Sequence, residues 1–172
     1  MLFKLFLDKL VEHLYFQQEG NLALYDRLTS VYNYNWFNLI GNNKYTNKVL
    51  FVTVIDINGF KQINDTKGHL YGNQILKQVA EKLVSFKCYD NTIDVVRYGG
   101  DEFVIISELD PSNILDRYAN SEQLISFGIV KKEAFEPLSV AFVKADEKMY
   151  RFKQEFKKKQ KLQQAKKSLA IN

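Results

Sequence analysis

Cysteine and histidine are scarce in this 172-residue sequence, which contains only Cys88, His13 and His69. One cysteine excludes an intrachain disulfide and a zinc site built on thiolates. Two histidines so far apart give no sign of a histidine metal site. Any metal would therefore bind carboxylate oxygens, which favour hard divalent cations such as Mg²⁺ or Mn²⁺. The single cysteine also suits a reducing compartment, and we expect a cytoplasmic protein.

Long apolar runs are also absent, and no stretch is long enough to form a transmembrane segment. The N-terminal residues are rich in Leu and Phe, but charged residues interrupt them and the small-residue cleavage site of a signal peptide is missing. Phe3, Leu7, Leu10 and Leu14 follow the spacing of one helix face. Residues 1–20 are therefore predicted to form a short amphipathic N-terminal helix. It packs either on its own domain or, as a dimer contact, against a second copy of the chain.

Acidic residues become rare towards the C-terminal end, where much of the net charge of +4 is concentrated. We expect residues 158–172 to form a basic helical tail, while the remainder of the chain is close to neutral. This distribution differs from that of a protein whose whole surface is basic, so no DNA partner is expected. Lysine runs at a C-terminus are usually solvated helix ends, and the tail is assigned that role.

The residues that are present predict a packed core, since 46% of them are hydrophobic and 14% are aromatic. A continuous β-branched run at 49–55 is typical of a central strand buried on both faces. The order of the remaining patterns predicts an α/β (α+β) fold, in which a central mixed sheet is flanked by helices. The other predicted elements are helices at 28–40, 74–86 and 111–119, strands at 93–98, 103–106 and 123–130, and a long helix from residue 137.

Three carboxylates occupy positions from which they could meet. Asp56 follows the buried strand, and strand ends are where functional groups emerge in such sheets. Asp101 and Glu102 follow Gly99 and Gly100, in the turn of a predicted hairpin. The glycines would let a phosphate approach the backbone, and the carboxylates could hold a metal. On spacing alone, these residue types are more typical of ordinary turns than of a metal site.

The segment from Arg97 to Phe103 reads RYGGDEF and resembles the signature of the GGDEF family. Other blocks resemble further motifs of that family, in the family's order, and together they span roughly residues 26–157. These blocks are DRLT at 26–29, DINGFKQIND at 56–65, KGHLYG at 67–72, SFGI at 126–129 and ADEKMYRFK at 145–153.

The resemblance implies a palm-like nucleotidyl-cyclase fold for residues 21–157 and a diguanylate cyclase activity in bacterial second-messenger signalling. Such an enzyme condenses two GTP molecules into cyclic di-GMP and two pyrophosphates, with Mg²⁺ or Mn²⁺, as a homodimer of half-sites. The metal ligands implied are Asp56, the carbonyl of Ile57, Asp101 and Glu102. Catalytic roles are implied for Asp101, Glu102 and Lys61. The implied substrate-binding positions are Gly59, Phe60, Lys61, Asn64, Asn73, Gly99, Gly100, Lys153 and Lys157.

Asn73 departs from the family pattern, which has Asp at the position that contacts the guanine edge. An amide offers one acceptor and one donor group where a carboxylate offers only acceptors. GTP remains the expected substrate, with ATP or a mixed cyclic dinucleotide as the alternative. The R-x-x-D site for product inhibition is absent, since residues 90–94 contain no arginine.

The stretch from Ser107 to Gln123 is short for the family, and we expect a trimmed helix that leaves one face of the sheet thinly covered. The alternative to an active cyclase is a catalytically silent GGDEF domain that binds a nucleotide or a protein partner. This departure and Asn73 favour that alternative. A palm-type polymerase or cyclase acting on other nucleotides is a third hypothesis.

Overall fold

The computed structural model describes residues 23–122 and 124–169. The predicted N-terminal helix over residues 1–20 lies outside these residues, as do the last three residues of the predicted tail.

Within the described residues, five strands and five helical segments follow one another. The first helical segment, α1, is continuous and contains one wider π-helical turn between two short α-helical pieces. A 3₁₀ turn, Phe86–Cys88, follows α3, and Cys88 is exposed there. In chain order the elements are β1 Tyr32–Asn33, α1 (Tyr34–Trp36, Phe37–Gly41 and Asn42–Lys44), β2 Leu50–Ile57, α2 Phe60–Lys67, α3 His69–Ser85, β3 Asp94–Gly99, β4 Glu102–Ser107, α4 Ser112–Glu122, β5 Ile125–Lys132 and α5 Leu138–Leu169.

The strands form a single mixed sheet in the order β1-β3-β4-β2-β5. β1 runs parallel to β3, and every other neighbouring pair is antiparallel. β2 lies between β4 and β5, with Asp56 opposite Glu102 on one side and Ser126 on the other. This architecture confirms the predicted mixed sheet flanked by helices.

Both faces of the sheet are covered because the side chains of each strand alternate between them. Val52 and Val54 of β2 pack in one apolar cluster with residues of α1 and α5. Ile55 and Ile57 pack in a second cluster with residues of α3 and α4. The sheet is therefore enclosed between two helical layers, as expected for a strand that is apolar along its whole length.

The prediction of a helix over residues 28–40 is wrong for its first part. Asp26 accepts hydrogen bonds from the backbone and hydroxyl of Thr29, which close a turn, and Ser30 has a φ of 60°. β1 follows, and the helix begins only after Asn33, whose side chain accepts from the backbone N–H of Trp36. Local side-chain hydrogen bonds of this kind compete with helix formation.

Two further features differ from the sequence predictions. Residues 60–67 form α2, a helix that is absent from the predicted elements, because a short helix with no buried residue carries little apolar signal. The helix predicted at 111–119 is present as α4, and it packs Leu115, Tyr118 and Ala119 into the core. That face of the sheet is therefore covered, and the prediction of thin coverage is wrong.

Lys132 is fully buried at the end of the sheet farthest from Asp56. Its ammonium group donates to backbone carbonyls of Tyr45 at 2.9 Å, Lys48 at 3.1 Å and Glu133 at 3.0 Å. A buried charge is tolerated where such acceptors surround it. Lys132 thus joins the loop before β2 to the turn after β5.

Candidate active site

Asp56 and Glu102 form a cross-strand pair of like charge at one edge of the sheet. They are directly opposite each other in the register of β2 and β4, and both point towards the layer that contains α5. Side chains in such positions have Cβ atoms roughly 4.5–5.5 Å apart, and like charges there are destabilising. A pair of this kind requires a compensating cation.

Lys153 of α5 provides that cation. Its Nζ lies 2.6 Å from both carboxylate oxygens of Asp56. The side chains of Lys153 and Asp56 are only 24% and 9% exposed, so the ion pair is largely shielded from water. The sequence placed both residues in the site, but it did not predict that they contact each other.

Gly128 explains why α5 lies close enough for this contact. A Cβ atom at this position of β5 would lie 2.2 Å from the carbonyl oxygen of Ala145 and 2.3 Å from the backbone nitrogen of Met149. Only glycine permits so close an approach of helix and strand. Ala145, Met149 and Lys153 follow one another at four-residue intervals, so the close packing directs Lys153 towards the sheet.

The turn between β3 and β4 is held by Arg97. Its Nε and Nη2 donate to the carbonyl oxygen of Gly100 at 3.0 and 2.7 Å, and its Nη1 donates to Asp26 at 3.0 Å. Gly100 has a φ of 50°, a conformation that side chains disfavour. The carbonyl of Asp101 accepts from the backbone N–H of Ile57 at 3.3 Å, which fixes the turn against the end of β2.

The carboxylates at this edge repel one another. Burial raises the pKa of Asp101 above its usual value, and the nearby charge of Asp56 raises it further. Burial also raises the pKa of Glu102, followed by the charges of Asp146, Asp56 and Asp101. Groups that are crowded in this way favour either a proton or a bound cation.

The donor chemistry of the edge fits a hard divalent cation. Asp56, Asp101 and Glu102 are oxygen ligands of the type that Mg²⁺ and Mn²⁺ prefer, and the ammonium of Lys153 already occupies a cation position between the oxygens of Asp56. Within the described parts of the chain, however, no three acidic, histidine or cysteine side chains are arranged to hold a metal ion. The ligands implied by the sequence are neighbours that would have to reorient.

A second part of the site lies between α2 and α3. The side-chain oxygen of Asn64 is buried and has no hydrogen-bond partner among the described residues. A Cβ at Gly72 would lie 1.9 Å from this oxygen, so a larger residue there would have to displace the Asn64 side chain. Asn73 follows Gly72 and is exposed. The structure therefore brings Asn64 next to Gly72 and places Asn73 beside them.

A cavity of about 350 Å³ separates α2 from α5. Gly59, with a φ of 69°, starts α2 at its rim, and Lys157 contributes from α5. Phe60 is half-buried against the core, whereas Lys61 is exposed to solvent. The remaining lining residues are Asn58, Gln62, Ile63, Thr66 and Phe156.

A family model described as "Diguanylate cyclase, GGDEF domain" matches residues 23–125. The chain belongs to the GGDEF family. This confirms the resemblance in the RYGGDEF segment, and the match includes all three carboxylates of the edge.

Curated relatives of this GGDEF protein include diguanylate cyclase VdcA of Vibrio cholerae, 31% identical over 156 residues, which cover 76% of this chain and 44% of the relative. Diguanylate cyclase DgcZ of Escherichia coli is 34% identical over 122 residues, or 61% of this chain and 40% of the relative. A cyclic di-GMP phosphodiesterase, NbdA of Pseudomonas aeruginosa, is 38% identical over 93 residues, which cover 51% of this chain and 12% of the relative. The chain spans less than half the length of these relatives.

Solved structures of GGDEF domains share the fold. The coiled coil and GGDEF domain of DgcB from Caulobacter crescentus, in complex with c-di-GMP, aligns with a TM-score of 0.67 and 22% identity over 88% of this chain and 91% of that one. Diguanylate cyclase SiaD from Pseudomonas aeruginosa, in complex with its activator SiaC, aligns with a TM-score of 0.68 and 21% identity over 89% and 65%. Among the helices that the structure describes, none is long and apolar enough to cross a membrane.

Two residues of the GGDEF site were not predicted from the sequence. Asp146, near Glu102, adds a fourth carboxylate to the edge. Ser126 donates from its hydroxyl to the side-chain oxygen of Asn58 at 2.7 Å, which positions the residue at the end of β2. The seven-residue interval between Asp146 and Lys153, two helical turns, was the available signal for Asp146.

Proposed function

We propose that this GGDEF protein is a diguanylate cyclase that condenses two GTP molecules into cyclic di-GMP and two pyrophosphates. The proposal rests on one observation above all: Asp56, Asp101 and Glu102 meet at one edge of the sheet, beside Lys153 and the Gly99–Gly100 turn. Phosphoryl transfer needs positioned charges and an aligned hydroxyl more than it needs covalent chemistry from the protein.

Different parts of the chain bind the triphosphate, the base and the sugar of the nucleotide. Lys153 and Lys157, on α5, bind oxygens of the triphosphate, with Lys61 and the backbone at Gly59 and Phe60. Asn64 and Asn73 bind the base, and the buried oxygen of Asn64 accepts a hydrogen bond from it. The Gly99–Gly100 turn, held by Arg97, lies against the sugar and phosphates without side chains that would exclude them.

Glu102 accepts the proton of the ribose 3′-hydroxyl. The 3′-oxygen then bonds to the α-phosphorus of the second nucleotide, and the bond from that phosphorus to pyrophosphate breaks. Asp56, Asp101, Glu102 and the carbonyl of Ile57 would hold Mg²⁺ or Mn²⁺, which would supply charge neutralisation of the triphosphate and activation of the hydroxyl.

Each site holds one nucleotide, so two copies of the chain must face each other for the reaction. Each 3′-hydroxyl attacks the α-phosphate held by the other copy, and two pyrophosphates leave in total. A monomer would bind GTP without forming product.

Product analysis tests this function. Purified protein is incubated with Mn²⁺ or Mg²⁺ and with GTP, ATP or both, and the products are identified by mass. We expect cyclic di-GMP from GTP. The absence of any cyclic dinucleotide from folded, dimeric protein would refute the cyclase proposal and favour the silent domain.

Asn73 supports a second candidate function, that of a cyclase with an altered base preference. Asn73 is exposed and adjoins Gly72, which packs on the side-chain oxygen of Asn64, an atom without a hydrogen-bond partner among the described residues. Facing guanine, the amide nitrogen would oppose a donor, and leaving such groups unpaired costs about 1–3 kcal/mol. We expect Asn73→Asp to raise the ratio of GTP to ATP turnover by about tenfold, which is 1.4 kcal/mol. An unchanged ratio would remove Asn73 from base selection.

A further inference from the structure

Lys153 occupies both oxygens of the carboxylate that is proposed to bind metal. The two distances of 2.6 Å are those of strong charge-assisted hydrogen bonds. Only 9% of the Asp56 side chain is exposed. A cation arriving from solvent must therefore displace the ammonium group before it can reach Asp56.

We propose that Lys153 is an internal substitute cation that keeps metal from Asp56 until a triphosphate arrives. This inference rests on the proposed function, because it concerns the same metal and phosphate site. The phosphate oxygens offer Lys153 a second anionic partner on the same side of α5, next to the cavity that Lys157 lines. When Lys153 pairs with phosphate, Asp56 loses its partner and becomes available to the metal.

The exchange of partners couples the two ligands. A triphosphate that draws Lys153 away strengthens metal binding, and metal on Asp56 releases Lys153 and strengthens triphosphate binding by the same factor. The crowded carboxylates at the edge strengthen this coupling between metal and triphosphate binding. Asp101 and Glu102 stay near the single positive charge of Lys153 when no metal is bound, so the edge is not left without a cation.

A purely structural ion pair predicts something different. If Lys153 merely fastened α5 to the sheet, the triphosphate would tighten metal binding only through its own oxygens on the metal, by the same factor with or without Lys153. Removal of Lys153 would then weaken folding and phosphate binding, and it would leave the affinity for metal alone unchanged or lower.

The test measures Mn²⁺ binding by electron paramagnetic resonance, with and without the unreactive α,β-methylene analogue of GTP. The proteins are the full chain, Lys153→Met, Lys153→Gln and Lys148→Met. Lys148 is the matched control, because it lies on α5 and donates to the carbonyl of Ile129, away from Asp56. Asp56→Asn identifies the signal that belongs to this site, and circular dichroism verifies that each variant is folded.

For the unsubstituted protein and Lys148→Met, we expect weak Mn²⁺ binding that becomes about tenfold tighter or more with the analogue. In the Lys153 variants, Mn²⁺ alone should bind about tenfold tighter than in the unsubstituted protein, and the analogue should tighten that binding by a smaller factor than it does in the unsubstituted protein. Lys153→Gln retains a neutral donor, so it keeps the comparison valid if Lys153→Met does not fold.

Equal Mn²⁺ affinity with and without the analogue in the unsubstituted protein would overturn the proposal, as would unchanged metal affinity in folded Lys153 variants. Coupling that is observed without any cyclic dinucleotide in the product assay would uphold the role of Lys153 while refuting the cyclase. Formation of a cyclic dinucleotide without coupling between metal and triphosphate binding would support the cyclase and refute the proposed role of Lys153.

Discussion

The charge of Glu102 destabilises the folded chain, and the role of Glu102 as the proposed base explains why a carboxylate stands there. It faces Asp56 across two strands, with Asp146 and Asp101 nearby, and its pKa is raised by burial and by these charges. Glu102→Gln keeps the shape and removes one charge. We expect the free energy of unfolding to stay the same or rise, while turnover of GTP falls about 100-fold or more because the base is lost.

Urea unfolding and product formation measure these two effects in the same preparation. Glu81→Gln, on the exposed side of α3, is the control for a lost surface carboxylate. Retained turnover in Glu102→Gln would show that another group accepts the proton, whereas a large loss of stability would contradict the assignment of repulsion at this edge.

The pKa of Asp26 is shifted in the opposite direction to that of Glu102. Burial alone would raise its pKa, but hydrogen bonds from Thr29 and Arg97 outweigh burial and lower the pKa below its usual value. Its stabilising contribution is therefore complete above the pKa of the unfolded state, about 4. It is lost as the pH falls through the lower pKa of the folded state.

Asp26→Asn should accordingly be less stable than the unsubstituted protein at neutral pH, and the difference should shrink as the pH falls below about 4. Asp26 is partly exposed, so screening keeps the difference to about 1 kcal/mol or less. Unfolding in urea at several pH values measures it, with the exposed Asp116→Asn as control. A difference that does not depend on pH would refute this account.

At the scale of single residues, the motifs singled out four positions that the structure brings together, Asp56, Asp101, Glu102 and Lys153, but they did not predict how these residues pair. The RYGGDEF segment and Asp56 led directly to the edge of the sheet. The contact of Lys153 with Asp56 could not be read from the sequence, because 97 residues separate them and α5 had to be placed first. The buried oxygen of Asn64 likewise depends on how α2 packs against α3.

The junction of α5 and β5 is the element on which the geometry of the site depends most. In Gly128→Ala, the added Cβ would lie within 2.3 Å of two backbone atoms, and backbone cannot move aside as a flexible side chain can. We expect α5 to shift, at a cost of about 1–3 kcal/mol, and turnover to fall because Lys153 moves with the helix. Lys131→Ala, exposed on the same strand, is the control.

Thermal unfolding and product formation test the junction. A Gly128→Ala protein with unchanged stability would show that the helix accommodates a methyl group. Reduced stability with full turnover would show that the position of Lys153 does not depend on this contact.

Among the elements, the long apolar strands and helices were predicted, and the short polar ones were not. β2 has a continuous apolar sequence that identifies it, whereas β1 has two residues and forms through pairing with β3. α2 buries no residue, so apolar periodicity could not reveal it. Such elements depend on tertiary contacts rather than on their own pattern.

For the whole molecule, the proposed reaction requires two copies. We expect the turnover rate per protein molecule to rise with protein concentration and to level off once the dimer is formed, since mass action governs association. Initial rates over a wide range of concentration, with sedimentation velocity on the same samples, provide the measurement. A rate per molecule that stays constant while the protein is monomeric would refute the half-site arrangement.

The position of Cys88 gives this molecule a native attachment point for a spectroscopic probe. The thiol is exposed beyond the C-terminal end of α3, a helix about 25 Å long whose first turn packs against α2. A nitroxide bound there would leave every proposed ligand untouched. The distance between the nitroxides on the two copies of a dimer would then report how the copies face each other, with no residue replaced.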